Sequence, residues 1–304
     1  MNERVKRIFC FLLLFSTLKV SAAVYVVHNT EESSVRSLTF QLSKLLSAST
    51  AIIPVRQSVF VQNISALQQD DMIVAIGDES LRQTCSVASK GAVVSVFIGK
   101  EEYLNIQPQC SIPSSAVFSG APLEKRLSLL QAVWFDPKPL TVLYSDNLLI
   151  DQQGMQEQAA LYGFTFRFLQ TEVDRLSVLK AVNYILEDSK MMFSLVDSKL
   201  YENGIAQDIL KLLFHKQNVM VGPSFGFVRA GSLFAIYSDT ETKLDALAAR
   251  INGWQEEGTL LEAVYPDKLR VSFNPYLIKS HGIVLPSAAY LKDQYGLCSE
   301  TACN

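Results

Sequence analysis

The chain has 304 residues, with 27 basic against 30 acidic side chains and a formal net charge of −3. That mildly acidic balance excludes a nucleic-acid binder working through a concentrated basic face. The length exceeds one small domain and suits two lobes.

The first segment predicts export. Arg4, Lys6 and Arg7 precede an apolar run, Ile8 to Phe15, and the small residues Ser21-Ala22-Ala23. A basic start, a short apolar stretch and a small-residue cleavage site describe a secretory signal peptide over 1–23. The run is too short to span a bilayer, which takes about 20 residues. Removing 1–23 turns 27 basic and 30 acidic residues into 23 and 29, a net charge of −6. The expected location is the periplasm or the exterior.

Beyond it, mostly apolar runs alternate with helical patterns. The runs are Val24–Val27, Ala51–Val55, Met72–Ile76, Ala92–Ile98, Leu140–Tyr144, Phe164–Phe168, Met191–Val196, Val219–Val221, Leu233–Tyr237 and Leu269–Phe273. Continuous rather than alternating apolar strands predict burial on both faces, as in a parallel sheet covered by helices. Between them, Leu38, Leu42, Leu45 and Leu46 form one helical stripe, and Leu244, Leu247, Ala248 and Ile251 another. The expected class is α/β, with two doubly wound parallel-sheet lobes and a hinge. A break falls at Ser119-Gly120-Ala121-Pro122.

Cys10 leaves with the signal peptide, so Cys85, Cys110, Cys298 and Cys303 remain. An even number in an exported chain permits a disulfide framework with three connectivities. Cys298 and Cys303 bracket only Ser-Glu-Thr-Ala and can close a local loop, which leaves Cys85 to pair with Cys110 within one lobe. Disulfides are expected over free thiols. Without a Cys-x-x-Cys unit or a nearby His, no metal site is expected.

No catalytic signature appears: no Gly-x-Ser-x-Gly, phosphate loop, His-Glu-x-x-His or dinucleotide fingerprint. His215 reads as a cation at a helix end, where it complements the dipole, and His281 as structural. No cofactor is expected. The carboxyl ends of strands in open α/β sheets face the ligand crevice, and that rule selects the candidate ligand-binding residues. His28 and Asn29 end the first strand, where a plain turn is the simpler reading. Gly77-Asp78-Glu79-Ser80 opens a helix, where Asp78 or Ser80 serves as a cap or meets a ligand. Asp197 follows Met191–Val196, and is either a solvated cap or a partner for a cationic or hydroxyl-bearing ligand. Ser224, in a Gly/Pro turn, is a further candidate, as are Tyr237 and Asp239 at the end of Leu233–Tyr237.

The stretch from Val219 to Pro286 resembles the closing third of the ABC-transporter substrate-binding-protein-like family. Gly231, Leu233, Asp239, Asn274, Gly282 and Pro286 fall in that family's register. The best-known members bind tryptophan and related amino acids. The resemblance implies a type I periplasmic binding protein that closes two lobes on a small ligand and docks to a membrane permease. A sensor or adaptor partnered with a signalling protein is the alternative. The resemblance also implies that lobe 1 spans 24–120 and is completed by 234–262, and that lobe 2 spans 121–233 and is completed by 263–304. It matches Asp197 to the family's Asp after the corresponding strand. It favours Thr or Ser where this chain has Asp78, whose charge repels a ligand carboxylate.

Overall fold

The structure, a computed structural model, describes residues 22–299. All but the last two residues of the expected signal peptide, and Cys303, lie outside them.

The first sheet holds β1 (Ala23–His28), β2 (Ala51–Arg56), β3 (Met72–Ile76), β4 (Ala92–Ile98) and β5 (Ser114–Phe118). Their order is β2-β1-β3-β4-β5, all parallel. Alternate residues serve opposite cores, as a pleated strand requires. Val24, Val26, Val74, Val94 and Val96 pack against α1 (Glu32–Ser43) and α10 (Thr240–Glu257). Val27, Ile73, Ala75, Val93 and Ile98 pack against α2 (Gln57–Gln62), α3 (Gly77–Val87) and α4 (Lys100–Ile106). Edge strand β2 departs from the expected burial: it is largely exposed and carries Pro54, which an edge tolerates.

The second sheet runs β12-β11-β10-β9-β8-β6-β7. Its strands are β6 (Leu140–Ser145), β7 (Phe166–Thr171), β8 (Met191–Phe193), β9 (Val219–Val221), β10 (Phe234–Tyr237), β11 (Leu269–Phe273) and β12 (Leu297–Ser299). Pairing is parallel except between β10 and β11. The helices are α5 (Leu123–Val133), α6 (Gln152–Leu161), α7 (Arg175–Ile185), α8 (Ile205–His215), α9 (Phe225–Ala230), α11 (Pro275–Ser280) and α12 (Ala288–Tyr295). Two cores flank this sheet, one centred on Leu130, Val142, Phe193 and Phe234, the other on Leu143, Val182, Ile209 and Met220.

The chain passes from the first sheet to the second between β5 and α5, through the Ser119–Pro122 break. Both boundaries of the expected 234–262 return differ. Strand β10 stays in the second sheet, where Phe234 pairs with Val221 and Phe273, while α10 and the stretch after it, with Leu260, Ala263 and Tyr265, pack on the first. The return segment then pairs Val264 with Val117 of β5 before entering β11. A short apolar strand records burial but not which of two sheets it joins.

Cys85 of α3 is bonded to Cys110 just after α4, tying together two helices on one face of the first sheet. No helix among the described residues is long and apolar enough to cross a membrane.

Candidate functional site

The carboxyl ends of β4 and β5 meet those of β8 and β9 across the gap between the lobes. Two glycines permit the approach. A Cβ on Gly99, which follows β4, would lie 2.7 Å from the Val196 carbonyl oxygen and 2.9 Å from its Cβ. One on Gly120, which follows β5 and has φ +77°, would lie 3.2 Å from Val196 Cγ2 and 3.5 Å from the Pro223 oxygen. Val196 therefore seats between two backbones of the opposite lobe.

Beside it, Glu102 crosses the gap. Its Oε1 accepts from both the backbone N–H and the hydroxyl of Ser198, each at 2.6 Å. Its Oε2 accepts from the Gly99 N–H at 2.7 Å, the side-chain half of a capping box at the start of α4. Burial pushes the Glu102 carboxyl up to about 7, against the pull of these donors, and the charge of Asp78 adds to the rise. Asp78, half-buried in the first turn of α3, acts on Lys199 as well. Burial alone would lower Lys199, but Asp78, Glu202 and Glu79 together raise it.

Asp197 sits next to this contact and is spent on its own lobe. Oδ2 accepts from the Ser145 N–H at 2.7 Å; Oδ1 accepts from the Ser145 hydroxyl and the Leu200 N–H, both at 3.1 Å. Only 3% of the residue is exposed. Burial raises its carboxyl, with those donors opposing. The solvated cap, one of the two expected readings, is not what forms: Asp197 is buried and braces the turn that follows β8 by fastening it to the end of β6.

On one flank of the contact lies a cavity of about 440 Å³, bounded by the starts of α4, α5 and α6. Arg126, Lys100, Glu101, Asp151 and Tyr265 supply its polar wall. Arg126 is 6% exposed. Its Nη2 donates to the Ser194 carbonyl at 2.6 Å and approaches the Val221 and Gly222 carbonyls at 3.5 Å. Its guanidinium lies 4.1 Å from the centre of the Phe193 ring. Burial lowers Arg126 to about 10, opposed by Tyr265, Glu101 and Tyr201. Its Nε has no hydrogen-bond partner. The site thus combines a buried cation, flanking acids and an apolar wall, a set that suits a small polar ligand.

None of the seven expected ligand residues lines this cavity. Asp78 and Asp197 are brought together at the lobe contact, where the charge of Asp78 adds to the rise of the Asp197 carboxyl. Tyr237 stacks on Phe225, centroids 5.3 Å apart, beside Ser224, which opens α9 without a side-chain cap. Asp239 is occupied as the cap of α10, accepting from the Thr242 N–H at 2.8 Å and from Arg270 Nε at 2.7 Å. Burial would raise its carboxyl, but those partners hold it below the usual value. Ser80 is buried with no partner for its hydroxyl, and Asn29 is exposed after β1. His28 is buried and donates from Nδ1 to the Thr30 carbonyl, and His281 packs its ring on Trp134.

Glu102, Ser198, Arg126, Lys100 and Tyr265 were not singled out from the sequence. Two signals were present. Arg126 falls on the apolar face shared by Leu127, Leu130 and Val133, where a charge needs a reason. Glu102 lies three residues after a helix-starting Gly99, the spacing of a reaching carboxylate.

No protein-family model matches the chain, and no curated protein matches it in sequence. Solved structures do. An ABC domain from Streptococcus pneumoniae, in complex with L-Trp, superposes with a TM-score of 0.66 at 14% identity, covering 91% of this chain and 99% of that one. A conserved domain protein from Vibrio cholerae gives 0.66 at 14%, covering 92% and 100%. A ligand-free, open substrate-binding protein with adhesive properties from Clostridium difficile gives 0.60 at 13%, covering 91% and 98%. Coverage of about nine-tenths of this chain at such low identity shows the fold alone: two α/β lobes, each built on a largely parallel sheet.

Proposed function

We propose that this protein is an exported binding protein, not an enzyme, that captures a small ligand between its two lobes for an ABC importer. The observation that carries the reading is the meeting of the β4, β5 and β8 ends beside one cavity whose wall includes Arg126, a buried guanidinium with Glu101 near it. Several chain crossings connect the lobes, the arrangement in which hinge closure engages a ligand from both sides. The L-Trp held by the pneumococcal neighbour makes amino acids and related metabolites the first compounds to test. Closure on such a ligand would then present a lobe surface to a membrane permease.

One observation favours a second reading, a periplasmic sensor or adaptor reporting to a signalling protein. The lobes are joined by their own side chains at Glu102 and Ser198, so their separation is a signal the protein can carry by itself. Thermal-shift screening of the mature chain tests the first reading. A ligand at about 100 times its dissociation constant stabilises the protein by about 2.7 kcal/mol. A hit lost on Arg126→Met assigns binding to the cavity; a hit retained there assigns it elsewhere.

A further inference from the structure

The turn after β8 is built as a receptor. Asp197 fastens its backbone to Ser145 and Leu200, so the direction of the Ser198 N–H is set from within the second lobe. That N–H and the Ser198 hydroxyl converge on a single oxygen, and the oxygen belongs to the other lobe. Two short donors on one carboxyl oxygen is how a protein holds the carboxylate of a bound molecule. Glu102 is 7% exposed, so the contact is largely withdrawn from bulk water.

We propose that the Ser198 turn is a carboxylate-binding site of the second lobe, and that Glu102 of the first lobe fills it as an internal ligand clasping the lobes together. A small carboxylate taking the Ser198 donors displaces Glu102 and releases the clasp, so occupancy by an outside acid and occupancy by Glu102 exclude each other. The groups facing the contact are Asp78 from α3, Asp197 from the same turn and Lys199 beside it. Burial and Asp78 both work against the internal carboxylate, which keeps it replaceable. The inference rests on the two-lobed clamp only for the expectation that the lobes can separate.

The test is removal and chemical rescue in the full mature chain, with sodium acetate as the probe and sodium chloride as the ionic-strength control, at pH 6. Glu102→Ala is expected to raise the radius of gyration in small-angle X-ray scattering. Acetate is expected to raise its melting temperature saturably, while chloride does not. Adding Ser198→Ala to that variant should weaken the acetate response at least threefold. The single Ser198→Ala protein keeps the buried acid and loses one donor; it should open in the same direction to a smaller extent, and it decides the matter should Glu102→Ala fail to fold. An unchanged radius in both variants overturns the proposal, as does a Glu102→Ala protein that opens but responds to acetate and chloride alike. These readouts use acetate alone, so their failure leaves the ligand screen and the clamp reading standing.

Discussion

Gly99 of the first lobe and Val196 of the second are in backbone contact, with no room between them for a methyl group. Gly99 has an ordinary extended φ of −74°, so its own backbone tolerates a side chain. The obstacle is the opposite lobe. Gly99→Ala is expected to leave each lobe folded while pushing the lobes apart, at a cost of about 1–3 kcal/mol to the closed form, the usual range for overpacking. Scattering should show a larger radius of gyration with an unchanged circular dichroism spectrum.

Asp197 now carries a prediction opposite to the one its sequence position invites. Asp197→Ala strands the Ser145 N–H and the Leu200 N–H in a buried site. The expected cost is about 1–3 kcal/mol for each unpaired donor. Roughly 2–4 °C of melting temperature per kcal/mol in a chain of this size makes the loss easy to see. A melting curve matching the wild type would mean the turn is held by something else.

Reducing the disulfide should destabilise the first lobe. Cys85 and Cys110 are 25 residues apart, and closing a loop of that size restricts the unfolded chain by about 3–4 kcal/mol. A Cys85→Ala/Cys110→Ala protein is expected to melt several degrees lower, read by calorimetry. The effect should fall on the lobe that carries α3 and α4.

Lobe closure should depend on pH through Glu102. Its carboxyl is pushed up to about 7 by burial in the closed form, whereas in the open form water restores an ordinary carboxylate value. The closed form therefore binds the proton more tightly. Its advantage is complete below the usual carboxylate range and is lost as pH rises through about 7. The radius of gyration is expected to grow between pH 5 and pH 8 in the wild type, and Glu102→Gln should flatten that profile.

The first strands are legible because β1, β3 and β4 are largely buried on both faces, and the sequence shows this as mostly apolar runs without polar alternation. β5 was missed, since Ser-Ser-Ala-Val-Phe opens on two small polar residues. Strand β10 was recognised as a strand but assigned to the wrong sheet, because its partners, Val221 and Phe273, are a tertiary fact. The strand-end rule leads to the edge of each sheet where the lobes meet, and to side chains that do not line the cavity there. A polar residue after a strand meets either a ligand or its own turn, and Asp197 and Asp239 meet their own turns. Glu102 and Arg126 lie within helices, which a rule about strand ends passes over.

A clamp that closes on a small molecule changes its dimensions when loaded, and small-angle X-ray scattering of residues 24–304 reads that change. It would be recorded alone and with each compound that raises its melting temperature in a screen of amino acids, sugars and small organic acids. At least one such compound is expected, with a stabilisation of about 2.7 kcal/mol at 100-fold excess over its dissociation constant and a change in the radius of gyration abolished by Arg126→Met. Scattering curves that coincide for every stabilising compound, or a library in which nothing stabilises the protein, would contradict it.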